Sequence, residues 1–155
     1  MRFTKMLSLI TDVLNKDADT QVDVCLTSQM ASAIELWTAM YENHAPWVDR
    51  QKTKSAQIPA AIASEIARLV TLEMKSEITG GTGALFLNRE YQKKVLADLR
   101  RYVEYGCAKG GLILKPYVTK TGLSIQYVQA DSFFPLAFDD SGRIQQCVFT
   151  EQFRK

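Results

Sequence analysis

The sequence predicts an α+β fold, with about four helices in its N-terminal two-thirds packed on a C-terminal antiparallel β-meander. Three observations predict it. Apolar residues recur at helical spacing in four separate segments before residue 109. The apolar period falls to near two after Gly110-Gly111. Glycine-bearing turns at 119–122 and 139–142 then separate alternating segments. The expected layout is one domain over residues 1–155, with a helical part at 1–109 and a β-meander at 110–152. A length of 155 residues is enough for one core.

Phe3, Met6, Leu7, Ile10, Val13 and Leu14 define an amphipathic first helix, followed by a polar break at 15–20. Val22–Leu26 reads as either a short strand or an extended linker. Ser28 is placed to cap a second helix that carries Met30, Ala33, Ile34, Trp37, Met40 and Tyr41 on one face. That helix is expected to stop near Asn43-His44, because Ala45 precedes Pro46 and is pushed away from the helical region. Residues 45–57 read as a connecting loop around Trp47.

Pro59 fits the first turn of a third helix. Its stripe of Ile58, Ile62, Ile66, Leu69, Val70 and Met74 is flanked by Ala60, Ala61, Ala63 and Ala67, so it is expected to lie centrally in the molecule. Glu77-Ile-Thr79 begins an extended piece and Gly80-Gly-Thr-Gly83 a flexible tip. A fourth helix is expected over about Asn88 to Cys107, capped by Asn88 and ended by Gly110-Gly111, with Tyr91, Val95, Leu96, Leu99, Tyr102 and Val103 facing inward. The strands are expected at 112–118, 123–128, 133–138 and 143–150. The third is placed at an edge because of Pro135. Because the chain stops soon after the last strand, the sequence reads as a piece of a longer protein.

Composition excludes little. Nineteen basic and seventeen acidic residues leave a formal net charge of +2, too balanced to predict nucleic-acid or membrane binding by itself. The apolar runs are far shorter than the roughly 20 residues of a membrane span, and no signal peptide is legible. Cys25, Cys107 and Cys147 are odd in number and widely spaced, and His44 stands alone. Zinc and disulfide frameworks are therefore not expected, and the thiols read as buried and reduced in a reducing compartment.

No catalytic constellation is legible either. Gly80-Gly-Thr-Gly83 lacks the lysine and hydroxyl that a phosphate-cradling P-loop needs. His44 has no nucleophile placed beside it. Glu73 and Glu77, four apart, could share a helix face and do acid–base work, but Arg68 and Lys75 beside them suit a solvated face. Lys93, Lys94, Arg100, Arg101 and Lys109, interleaved with Tyr91, Tyr102 and Tyr105, make residues 93–109 locally basic. A nucleic-acid backbone could be gripped there, and a stand-alone nucleic-acid-binding module is the alternative reading. Trp37, Trp47, Phe133, Phe134 and Phe138 exceed what a small core needs, so some are candidates for a subunit interface. No catalytic, cofactor or metal residue is expected, and no cofactor.

Four segments carry a resemblance to a known family. They are Ile34-Glu-Leu-Trp-Thr-Ala-Met-Tyr41 with Trp47, the long helix of 62–78, the helix–glycine–strand junction of 102–118, and the hairpin of 131–149 with its Phe-Phe-Pro and Asp-Ser-Gly. In this order, over roughly residues 30–150, they resemble the portal proteins of long-tailed phages, in the group typical of Gram-positive hosts. The resemblance implies the N-terminal wing region of a structural, non-enzymatic subunit of the head–tail connector. It implies a closed ring of about a dozen copies at one capsid vertex, built by repeated heterologous contacts. DNA would be packaged and ejected through that ring. Terminase, scaffold or capsid protein and head–tail adaptors are the implied partners, and the implied location is the virion, with assembly in the host cytoplasm. Stem, clip and tunnel loop would lie downstream, so no DNA-contacting residue carries over to this segment.

Overall fold

The fold was determined as a computed structural model that describes residues 3–16, 23–49, 52, 55–120 and 122–151. Helices α1 (Phe3–Asn15), α2 (Ser28–Tyr41), α3 (Ile58–Leu72), α4 (Ala84–Lys94) and α5 (Leu99–Lys109) precede strands β1 (Leu112–Thr119), β2 (Gly122–Gln129), β3 (Phe133–Phe138) and β4 (Ile144–Phe149). The α+β class and the change from helix to strand at residues 110–111 are as expected. Residues 17–20 of the polar break, Val22, residues 50, 51, 53 and 54 of the connecting loop, and Thr121 of the first hairpin turn lie outside the described residues.

The core sits between α1, α2 and the second hairpin. Phe3, Ala31, Ile34 and Phe134 are buried together, with Met6, Leu7, Ile10, Val24, Leu26, Ala130 and Val148 packed around them. The Phe3 and Phe134 rings stack with centroids 5.2 Å apart. The chain before α2 takes the linker form, tied down by Cys25 N donating to Pro135 O at 2.7 Å. The helix cap is Thr27 rather than Ser28: its hydroxyl accepts from Met30 N at 3.2 Å.

The expected fourth helix is two helices. Asn88 lies inside α4, where its side chain accepts from Ile78 N, instead of capping. A 3-10 turn at Leu96–Asp98 separates α4 from α5. The cause lies in β2. The Tyr127 hydroxyl donates to Val95 O at 2.7 Å, taking a carbonyl that a continuous helix would use for its own ladder. Gly110 then ends α5 with φ +86°, a left-handed conformation in which the ring of Trp37 covers the position a Cβ would fill.

The four strands form two separate antiparallel hairpins, β1–β2 and β3–β4, instead of one continuous meander. Between them the 3-10 turn Ala130–Ser132 redirects the chain so that Phe134, fully buried, enters the helical core beside Phe3. In the second hairpin, Asp139 Oδ1 accepts from Ser141 N and Arg143 N, and Gly142 takes φ +75°.

Candidate subunit interface

The largest departure from expectation is the orientation of α3. Its alanine side faces inward: Ala63 and Ala67 are buried where α3 packs on α5 and α2. Small residues let the helix axes approach closely, and that contact turns the larger side chains the other way. Ile58, Ile62, Ile66, Leu69, Val70 and Met74 are all exposed, Ile58 by 61% and Leu69 by 59%. The isoleucine stripe that the sequence assigns to the core is therefore an outer surface, and α3 is peripheral rather than central.

Exposed apolar side chains continue along the chain. Leu72 and Ile78 follow, and at the start of α4 Leu85 is 89% exposed, with Phe86 and Leu87 about half exposed. Beside α3, a notch of about 160 Å³ is lined by Trp37, Met40, Tyr41, Ile62, Ile66 and Cys107. Among the described residues nine apolar side chains are buried and twenty-two large ones are exposed. A monomeric surface rarely keeps so continuous an apolar helix face in water, and patches of this kind mark contacts with other macromolecules.

Two charged groups beside this surface are paired with each other. Arg68 donates two bonds to Glu65, at 2.7 and 2.8 Å, and this hydrogen bonding holds the Glu65 carboxyl below the usual carboxylate range. The Tyr41 hydroxyl donates to Glu104 at 2.7 Å. Burial first, and then that bond and the charge of Glu104, push the Tyr41 phenol well above its ordinary value. Residues 76–78 are laced to α4: Ser76 to the Tyr91 hydroxyl at 2.8 Å, Gln92 Nε2 to Ser76 O, and Ile78 N to Asn88.

The basic residues of 93–109 do not act alike. Lys109 is buried against Asp131 at 2.8 Å, with Glu42 at 4.0 Å. Lys94 pairs with Glu90 at 2.7 Å and also donates to Leu123 O. Arg101 lies over the Tyr105 ring and donates to its hydroxyl. Lys93 and Arg100 are exposed. The tyrosines of this region are half-buried: Tyr102 stacks on Tyr127 and meets Tyr105 edge-on. Three of the five cations thus serve internal contacts, Lys94 and Lys109 in ion pairs and Arg101 on Tyr105.

The remaining candidates stay apart. His44 is exposed in the turn after α2, its N–H bonded to Ala39 O. Glu73 and Glu77 do not share a helix face, because α3 ends at Leu72 and Glu77 lies in the extended piece beyond it. Gly80, Gly81 and Gly83 take positive φ in an exposed turn ahead of α4. Cys25 and Cys107 are exposed and Cys147 half-buried, so the expectation of buried thiols is corrected; none is in a disulfide. Among the described residues no group of three or more His, Cys, Asp or Glu side chains is placed to hold a metal ion, and no helix is long and apolar enough to cross a membrane.

One signal in the sequence points to the true orientation of α3. Ala60, Ala63 and Ala67 recur at helical spacing on the face adjoining the isoleucines, a second face able to pack. Periodicity finds both faces and does not rank them. The chain matches no protein-family model, no curated protein and no solved structure.

Proposed function

We propose that this chain is the wing segment of a tailed-phage portal subunit, a structural protein that works through contacts with neighbouring copies and not through chemistry. The observation that carries the reading is the outward apolar face of α3. A face so rich in isoleucine and leucine is stable in a working protein when another protein surface covers it. The four-segment resemblance supplies the family, and the helix–glycine–strand junction at Gly110 supports it with an ordered, packed turn against Trp37. In the ring, α3 of one subunit meets a different surface on the next, the heterologous geometry that closes a cycle. The DNA channel, terminase docking and tail attachment belong to the assembled portal.

Imaging by negative stain, with native mass spectrometry of the natural gene product that carries this chain, tests the proposal. Closed rings of about a dozen subunits are expected. A product that stays strictly monomeric at all concentrations overturns it. The nucleic-acid alternative predicts DNA binding that weakens steeply with salt. With Lys94 and Lys109 held in internal ion pairs, binding of that kind is not expected from α4 and α5.

A further inference from the structure

We propose that Phe86, at the exposed start of α4, seats in the notch between α2, α3 and α5 of the next copy, so that the chain joins to itself head to tail. Resting on the portal reading, this contact supplies the surface that meets α3. A short stretch of sequence builds the protruding side. Gly83 precedes α4 with φ +106°, and Leu85, Phe86 and Leu87 follow almost at once. Three consecutive residues sweep about 200° around a helix axis, so no single neighbour covers all three. α4 buries none of its residues, and all three of these side chains face water. An apolar tip of this kind marks a contact with another surface.

The notch selects its occupant by size. Trp37, Tyr41, Ile62, Ile66, Cys107 and Ala108 help to line a space of about 160 Å³. Ligand clefts are larger, at about 300–1,000 Å³. An apolar cavity of about 150 Å³ holds one benzene ring. The guest that fits is therefore a single phenyl side chain. Among the described residues the exposed phenylalanines are Phe86 and Phe138, and the exposed ring of Trp47 is larger. Phe86 does not line the notch of its own chain, so the two meet only between copies. A patch and its complement at different places on one chain make a heterologous contact, which can repeat around a ring. Ile62 and Ile66 also belong to the exposed stripe of α3, so this contact is continuous with that face.

Charge decides between the two phenylalanines. The guanidinium of Arg89 lies over the Phe86 ring, 5.4 Å from its centroid, on a side chain 60% exposed. Glu90, 3.8 Å from Arg89, pairs more closely with Lys94 at 2.7 Å. A Phe86 ring that enters the notch therefore brings a cation to the rim. Glu104 stands there, one turn before Ala108 on α5 and bonded to Tyr41 of the notch. That one bond leaves its carboxylate able to accept a guanidinium. Arg101 is turned to the Tyr105 hydroxyl, and Arg100 acts on Glu65. Phe138, by contrast, is followed by Asp139 and Asp140, which would bring like charge towards Glu104.

The test is sedimentation velocity of the natural gene product, with two variants that each spoil one side. Phe86→Asp removes the ring and Cys107→Trp fills the notch; both positions are exposed, so the fold is kept. Each variant alone is expected to weaken self-association by about tenfold or more. Mixed in equal amounts, they are expected to form a dimer and nothing larger, because one intact ring meets one intact notch. Arg89→Glu should weaken association as well, and adding Glu104→Lys to it should restore the contact. That charge exchange decides the matter if the filled notch fails to fold. Association of Phe86→Asp equal to wild type overturns the contact and leaves the ring reading standing, and a mixture that grows past the dimer overturns it too. A wild type that stays monomeric overturns both. Open filaments that Phe86→Asp disperses support the contact and overturn the closed ring.

Discussion

Gly110 is the position where a single atom decides most. Its φ of +86° suits glycine, and a Cβ there would stand 2.8 Å from the Trp37 ring. Gly110→Ala is predicted to cost about 2 kcal/mol or more, read as a lower urea midpoint at unchanged slope. Lys109, one residue earlier, is buried with its ammonium on Asp131. Asp131→Ala leaves that charge with only Glu42, 4.0 Å away, and should destabilise by roughly 3 kcal/mol. Tyr41 gives a pH dependence with a definite sign. Its phenol is raised in the folded state, chiefly by burial and then by Glu104, so the folded chain keeps a proton that the unfolded chain releases. The stabilisation is fully present below the ordinary tyrosine value of 10.0 and is lost as the pH rises above it. Tyr41→Phe should lower stability near neutrality by about 1 kcal/mol through the lost bond to Glu104, and should flatten the alkaline decline. Thermal melts from neutral to strongly alkaline pH measure both effects.

At the scale of elements, the sequence announces itself where local chemistry decides and falls silent where tertiary contacts do. The hairpin turn at Asp139–Gly142 and the helix stop at Gly110 are written in short-range signals, and both form as expected. The cap of α2 moves by one residue because Thr27 and Ser28 both carry a suitable hydroxyl. The break between α4 and α5 is invisible locally: it depends on Tyr127, some thirty residues away, taking the Val95 carbonyl. Separation of the hairpins is likewise not written locally: Phe134, still paired in β3 with Val148, stacks on Phe3 from the first helix. The facing of α3 was the least legible, because its alanine and isoleucine sides have the same period and only the partner helices choose between them. An exposed apolar face also makes a prediction at this scale. Ile62→Asp and Leu69→Asp together should change the stability of the isolated chain by no more than about 0.5 kcal/mol each, since both side chains already face water. Denaturant melts of the double variant check this.

For the whole molecule, a modest core between α1, α2 and the β3–β4 hairpin supports a surface unusually rich in large apolar groups. That balance suits the proposed role, in which neighbouring copies cover the apolar face. Sedimentation velocity of the natural gene product, wild type beside the Ile62→Asp/Leu69→Asp variant, tests the central claim most directly. The account predicts a closed, ring-sized species for the wild type and its dispersal in the variant, with unchanged far-ultraviolet circular dichroism. Rings that form equally well in the variant would contradict it.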